Sequence, residues 1–232
     1  MRTSPRHNRL YRTLYQAVIE ETDAHMGTIV DAFLQKFPDG RIVMTSDHGE
    51  MLGEHGEIGH KSGLYQELIH VPLVLYGWER DGQQQGRVGS LFSLTAIPDW
   101  ITDSLGVEYA WDSQWEDFSS IVSDPPMVTA QRDGDIAAIR SDEKKLILDY
   151  PMTIQNGHFF QGEPTLHLFD LSVDPKEVNP LLSNEADQDT EHAAIQLELS
   201  KELEAWQATR PLGIADGKTQ QTNRAFIEDL RK

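Results

Sequence analysis

The chain has 232 residues, no cysteine, and 38 acidic against 20 basic side chains, for a formal charge of −18 at neutral pH. Without cysteine there are no disulfides, thiolate ligands or cysteine nucleophile, and the negative field disfavours nucleic acid, which needs clustered Lys and Arg. No N-terminal apolar h-region occurs and no apolar run approaches the ~20 residues of a membrane helix. The expected setting is therefore cytoplasmic. A halophilic source, whose dispersed acids stay soluble where salt screens repulsion, and an ordinary acidic protein explain the charge equally well.

In chain order, Leu10, Leu14, Ala17, Val18, Met26, Ile29, Val30, Phe33, Leu34 and Phe37 recur at helical spacing and predict a helix over 8–36. Pro38-Asp39-Gly40 ends it and turns the chain into Ile42–Thr45, which reads as a buried strand. A short helix within 62–69, a strand over 71–76, a short strand at 87–90 and a helix over 94–105 follow. This alternation argues for an α/β domain with a mostly parallel sheet. Beyond about residue 112 the pattern changes to short strands at 127–130, 136–140, 145–149 and 166–171, expected to form a small antiparallel subdomain. A helix over 191–208 offers Ile195, Leu197, Leu199, Leu203 and Trp206 to its core. The expected organisation is an α/β core over 1–110 with a site loop at 45–63, an antiparallel α+β subdomain over 111–210, and a polar tail over 211–232.

The segment Ile42-Val-Met-Thr-Ser-Asp-His-Gly-Glu-Met-Leu-Gly-Glu-His-Gly56 carries the chemistry. Asp47 and His48 stand where the first strand ends, the position at which α/β sheets gather ligands. Their oxygen and nitrogen donors suit Ca²⁺, Mn²⁺ or a similar divalent cation. Lys61 is a point charge able to neutralise an oxyanion. A metal, a lysine and a histidine at one spot match the needs of sulfuryl or phosphoryl transfer. His55 and His60 do not make a His-Glu-x-x-His zinc pattern. His55 reads as a supporting loop residue, His70 as a satisfied core histidine, and at least two of Glu50, Glu54 and Glu57 as solvated charges.

Thr45-Ser-Asp-His-Gly-Glu-Met-Leu-Gly-Glu-His-Gly56, Gly59-His-Lys61 and Leu64-Tyr-Gln-Glu-Leu-Ile-His-Val-Pro-Leu73 together resemble the later signature region of sulfatases. These belong to the alkaline-phosphatase-like superfamily, which also holds phosphonate monoester hydrolases. Glu21-Thr-Asp-Ala-His-Met-Gly27 resembles the helix before that region. Leu94 to Gly106 resembles a later segment, and Leu166-His-Leu-Phe-Asp-Leu-Ser-Val-Asp-Pro-Lys-Glu-Val-Asn-Pro180 resembles the closing stretch. The resemblance implies part of an alkaline-phosphatase-like sheet with helices, plus the small C-terminal subdomain. It also implies that Asp47 and His48 bind a divalent metal, Ca²⁺ foremost with Mn²⁺ second, and that Lys61 contacts the oxygens of a sulfate ester. His60, next to Lys61, is a further candidate for the chemistry.

The same resemblance calls for an upstream Asp-Asp pair and a Cys- or Ser-x-Pro-x-Arg motif that yields a formylglycine nucleophile. No such motif occurs in the 232 residues, and Thr3-Ser-Pro-Arg-His7 does not match its spacing. The expectation is thus a sulfatase-like hydrolase of small-molecule or saccharide sulfate esters, in truncated or split form, inactive alone and partnered by an N-terminal half. A phosphonate or phosphate ester hydrolase, and a non-catalytic interaction module, are the alternatives.

Overall fold

The computed structural model describes residues 4–60, 63–77, 86–106, 127–132, 136–149, 152–155, 158–161, 165–183 and 190–209. The chain divides into two compact units, residues 1–88 and 89–232. No described helix is long and apolar enough to cross a membrane.

The first unit opens with helix α1, Pro5–Lys36. Ser4 caps it, its hydroxyl accepting from the His7 backbone N–H at 3.4 Å, and Pro5 takes the first helical turn, where a missing N–H costs nothing. The Ser4-Pro-Arg-His7 stretch therefore serves as a helix start. Strand β1, Ile42–Thr45, pairs with β4, Leu73–Tyr76, in register Ile42↔Tyr76 to Thr45↔Leu73. Between them lie the ribbon of β2, Met51–Leu52, and β3, Ile58–Gly59, a single 3₁₀ turn at Glu54–Gly56, and the one-turn helix α2, Gln66–Ile69.

Three expectations do not hold. The β1–β4 pair is antiparallel, as is every pairing among the described residues. A parallel neighbour needs a crossover of a dozen or more residues, usually helical; this connection spends its length on a ribbon and a four-residue helix. Nor is β1 buried: Ile42, Val43 and Met44 are half-covered and Thr45 is exposed, because a two-stranded sheet leaves much of its surface open. Burial in this unit centres on Met51, Leu64 and Leu68. Residues 87–90 form no strand.

The second unit begins with a 3₁₀ turn at Leu94–Ala96 leading into α3, Ile97–Ser104. Five antiparallel strands follow in the order β11-β10-β7-β6-β5: Leu182–Ser183, Thr165–Asp170, Lys144–Asp149, Ile136–Arg140 and Val128–Arg132. A separate hairpin joins β8, Met152–Gln155, to β9, His158–Gln161. The register sets Ile139, Leu146 and Leu168 side by side, and Ala137, Leu148 and Leu166 in the next row. These six are buried with Leu199 and Leu203 of α4, Thr190–Thr209, and Ile195 and Trp206 pack beside them at helical spacing. On the other side of β7, Lys145 is fully buried and forms an ion pair of 2.5 Å with the equally buried Glu177. The polar tail over 211–232 lies outside the described residues.

Candidate metal and sulfuryl site

β1 delivers the chain to Ser46, and three short hydrogen bonds then fix the next two side chains. The Ser46 hydroxyl donates to the His48 carbonyl at 2.7 Å, and the His48 backbone N–H donates to Asp47 Oδ1 at 2.9 Å. The His48 ring nitrogen Nδ1 lies 2.9 Å from the Gly49 carbonyl oxygen. A carbonyl only accepts, so Nδ1 carries the hydrogen and a neutral ring keeps its lone pair on Nε2. That Nε2 stands 3.7 Å from Asp47 Oδ2. Two donor atoms at this separation can share one cation at ordinary bond lengths of about 2.1–2.5 Å. The Asp47 side chain is 86% exposed, open to an ion from solvent. The His48 backbone N–H, and then its imidazole, hold the Asp47 carboxyl below the usual range, so it is ionised and ready to ligate. These residues thus fit a divalent cation.

Gly49 closes the turn against α2. Its N–H donates to the Leu68 carbonyl at 2.7 Å, and a β-carbon there would meet the Glu67 carbonyl oxygen at 2.0 Å. Only glycine allows this approach. From the other side, Arg12 of α1 donates to the Leu52 carbonyl at 3.0 Å and forms an ion pair with Glu54.

The β2–β3 register, Met51↔Gly59 and Leu52↔Ile58, continues outward to set Glu50 opposite His60. His60 Nδ1 lies 2.9 Å from Glu50 Oε2, and the Tyr11 hydroxyl donates to Glu50 Oε1 at 2.6 Å. Burial pushes the Glu50 carboxyl up, but hydrogen bonds from Tyr11 and His60 and the nearby His48 outweigh it and leave it below its ordinary value. Tyr11 responds in the opposite sense: its bond to Glu50 raises it. The rings of His60 and His48 lie 4.2 Å apart. The ligand atoms of His48, Glu50 and His60 all fall within 4.8 Å of one another.

The structure therefore places His48 beside Asp47 and also beside His60, while Lys61 lies outside the described residues. Sequence reasoning missed Glu50 and Tyr11. Glu50 and Glu54 are not solvated charges; both are largely covered and paired, and only Glu57 is exposed. The signal available for Glu50 was the hairpin itself, since glycines at 53 and 56 allow a turn that folds residue 50 onto residue 60. His70 is exposed, not in the core. His55 is a loop residue, stacked on Tyr65 at 3.7 Å with Nε2 3.4 Å from Glu67.

Comparison with known proteins shows what this chain resembles. Residues 2–100 match the family described as Sulfatase. Arylsulfatase K of Rattus norvegicus is 29% identical over 186 residues, 72% of this chain and 31% of that protein. The multifunctional alkaline phosphatase superfamily protein PehA of Trinickia caryophylli is 26% identical over 223 residues, covering 85% of this chain and 40% of that one. The structure of BT4656 in complex with its substrate D-glucosamine-2-N,6-O-disulfate superimposes with a TM-score of 0.58 at 24% identity. It covers 84% of this chain and 40% of BT4656, and the likeness is one of fold. The chain thus spans well under half the length of the relatives it matches. Residues 2–100 thus carry the likeness to the Sulfatase family, and the chain shares its fold with BT4656.

Proposed function

We propose that this chain serves the hydrolysis of sulfate esters, and that its share of the work is to hold a divalent cation and the sulfuryl oxygens. The observation that carries the reading is the Asp47–His48 pair, with donor atoms 3.7 Å apart at the end of β1, in a loop matching the sulfatase family. Ca²⁺ is the cation we assign, with Mn²⁺ second, because one carboxylate and one imidazole suit a hard to borderline ion. When bound, the cation supplies positive charge where negative charge gathers on the sulfuryl oxygens.

The residues act by orientation. The Gly49 carbonyl fixes the His48 tautomer, the His48 backbone N–H fixes the Asp47 rotamer, and Lys61 contributes a second positive charge to the ester oxygens. No Cys- or Ser-x-Pro-x-Arg pattern occurs among the 232 residues, so no nucleophile is assigned here. The same donors would serve a phosphate or phosphonate ester; the arylsulfatase relatives favour sulfate. A disulfated glucosamine is the substrate of BT4656, and a sulfated saccharide is the class we propose for this chain.

The test is calorimetric titration with CaCl₂ and MnCl₂, followed by 4-nitrophenyl sulfate in the presence of the cation. We expect Asp47→Asn and His48→Ala each to weaken cation binding at least tenfold, and Lys61→Ala to weaken the sulfate ester alone. Unchanged cation affinity in Asp47→Asn, or preference for 4-nitrophenyl phosphate over the sulfate, would sink the proposal.

A further inference from the structure

We propose that His48, Glu50 and His60 form a second, overlapping cation site, selective for a borderline ion of the Zn²⁺ class. Three observations converge on it. The ligand atoms lie within 4.8 Å of one another, and Glu50 Oε2 and His60 Nδ1 are already 2.9 Å apart. A tetrahedral zinc ion with bonds of about 2.0–2.1 Å spaces its ligand atoms about 3.4 Å apart. The Glu50–His60 contact therefore opens by a few tenths of an ångström while His48 closes, a change within reach of side-chain torsions. Both histidine rings are partly exposed and the Glu50 side chain only 13% so, which leaves an entry path above a fixed carboxylate.

Second, the carboxylate is held from behind. Tyr11 occupies Oε1 and leaves Oε2 directed at His60, the outer-shell support that ligating carboxylates require. Third, the donor set is two imidazoles and one carboxylate. That is a zinc-type set; Ca²⁺, which takes six to eight oxygen ligands, gains little from it. Zinc takes the place of the proton shared by His60 Nδ1 and Glu50 Oε2, and that proton leaves to solvent.

The two sites share His48. Its Nδ1 is committed to the Gly49 carbonyl, so only Nε2 is free to ligate, and one ion at a time can hold it. Zinc at His48–Glu50–His60 consequently excludes the cation that Asp47 and His48 would share. The chain carries an inhibitory metal position built into the loop of its own cofactor site.

The experiment titrates the full chain with ZnCl₂ by calorimetry and with Co²⁺ by visible absorption, where tetrahedral ligation gives intense d–d bands. We expect one Zn²⁺ per chain, at least tenfold weaker in Glu50→Gln and in His60→Ala, and unchanged within twofold in Asp47→Asn. His60 is 53% exposed, so its truncation leaves the fold intact, which an unchanged circular dichroism spectrum verifies. Prior Zn²⁺ should also weaken Ca²⁺ or Mn²⁺ binding in proportion to occupancy. Zinc binding that survives His60→Ala, or that is lost in Asp47→Asn, would overturn the proposal. The latter result would leave the Asp47–His48 reading standing.

Discussion

Gly49 has no room for a side chain. Its N–H is spent on Leu68, and the Glu67 carbonyl oxygen sits where a β-carbon would go. Gly49→Ala must therefore push α2 away from the loop, at a cost of about 1–3 kcal/mol. We expect a lowered urea midpoint by circular dichroism together with weakened cation binding, since His48 donates to the Gly49 carbonyl. A variant with wild-type stability and affinity would refute the close packing. Not all of this detail was legible in the sequence. Asp47 and His48 could be named because a strand ending in Asp-His-Gly is a local pattern. Glu50 could not, because its meaning depends on a residue ten positions away, brought opposite by a ribbon of two-residue strands. Such strands are too short to carry an alternation signal.

Among the elements, β6, β7 and β10 were readable because each is a run of apolar residues long enough to exceed turn noise. β2, β3 and β11, of two residues each, were invisible, and so was the β8–β9 hairpin with its mixed composition. The antiparallel course of β1 and β4 was misread because helix–strand alternation does not measure the length of the connecting helix. Asp170 accepts from Lys144 Nζ at 2.7 Å and from Ser172, through its hydroxyl at 2.5 Å and its backbone N–H at 3.0 Å. The Lys144 bond, then those from Ser172, hold its carboxyl at about 2 against an ordinary 3.8. A carboxyl lowered by folding adds stability that is complete above its unfolded value and is lost as pH falls from about 4 towards 2. Allowing for partial solvent screening, the contribution is on the order of 1 kcal/mol. Asp170→Asn should lower stability at pH 7 and flatten its acid limb, as read from urea melts across pH 2–6. Parallel pH profiles would exclude that role for Asp170.

At the scale of the molecule, charge and exposed apolar surface act against each other. Leu10, Leu14 and Val18, spaced four residues apart along α1, are 57%, 55% and 59% exposed. The helical pattern was correct, but this part of its apolar face points to solvent; the covered stripe runs instead through Asn8, Tyr11, Tyr15, Met26, Val30, Phe33 and Leu34. Periodicity shows that a face is apolar and cannot say which stripe finds a neighbour. A net charge of −18 keeps copies apart at low salt, and screening within about 10 Å at 0.1 M weakens that defence. Light scattering should detect association that grows with NaCl. The triple variant Leu10→Ser, Leu14→Ser, Val18→Thr should associate far less. Each exposed change should cost the fold within about 0.5 kcal/mol beyond helix propensity. Salt-independent association, or a collapse of stability, would count against this reading.

The loop that bears Asp47 is gripped from both directions in the chain, by Tyr11 and Arg12 before it and by the Leu68 carbonyl after it. Any ion that favours the ordered loop must, by thermodynamic linkage, favour the docked helix start as well. The first turns of α1 become a remote gauge of occupancy. Amide exchange over residues 8–15 should slow when cation is added, and Tyr11→Phe should erase part of that protection while leaving Asp47 and His48 in place.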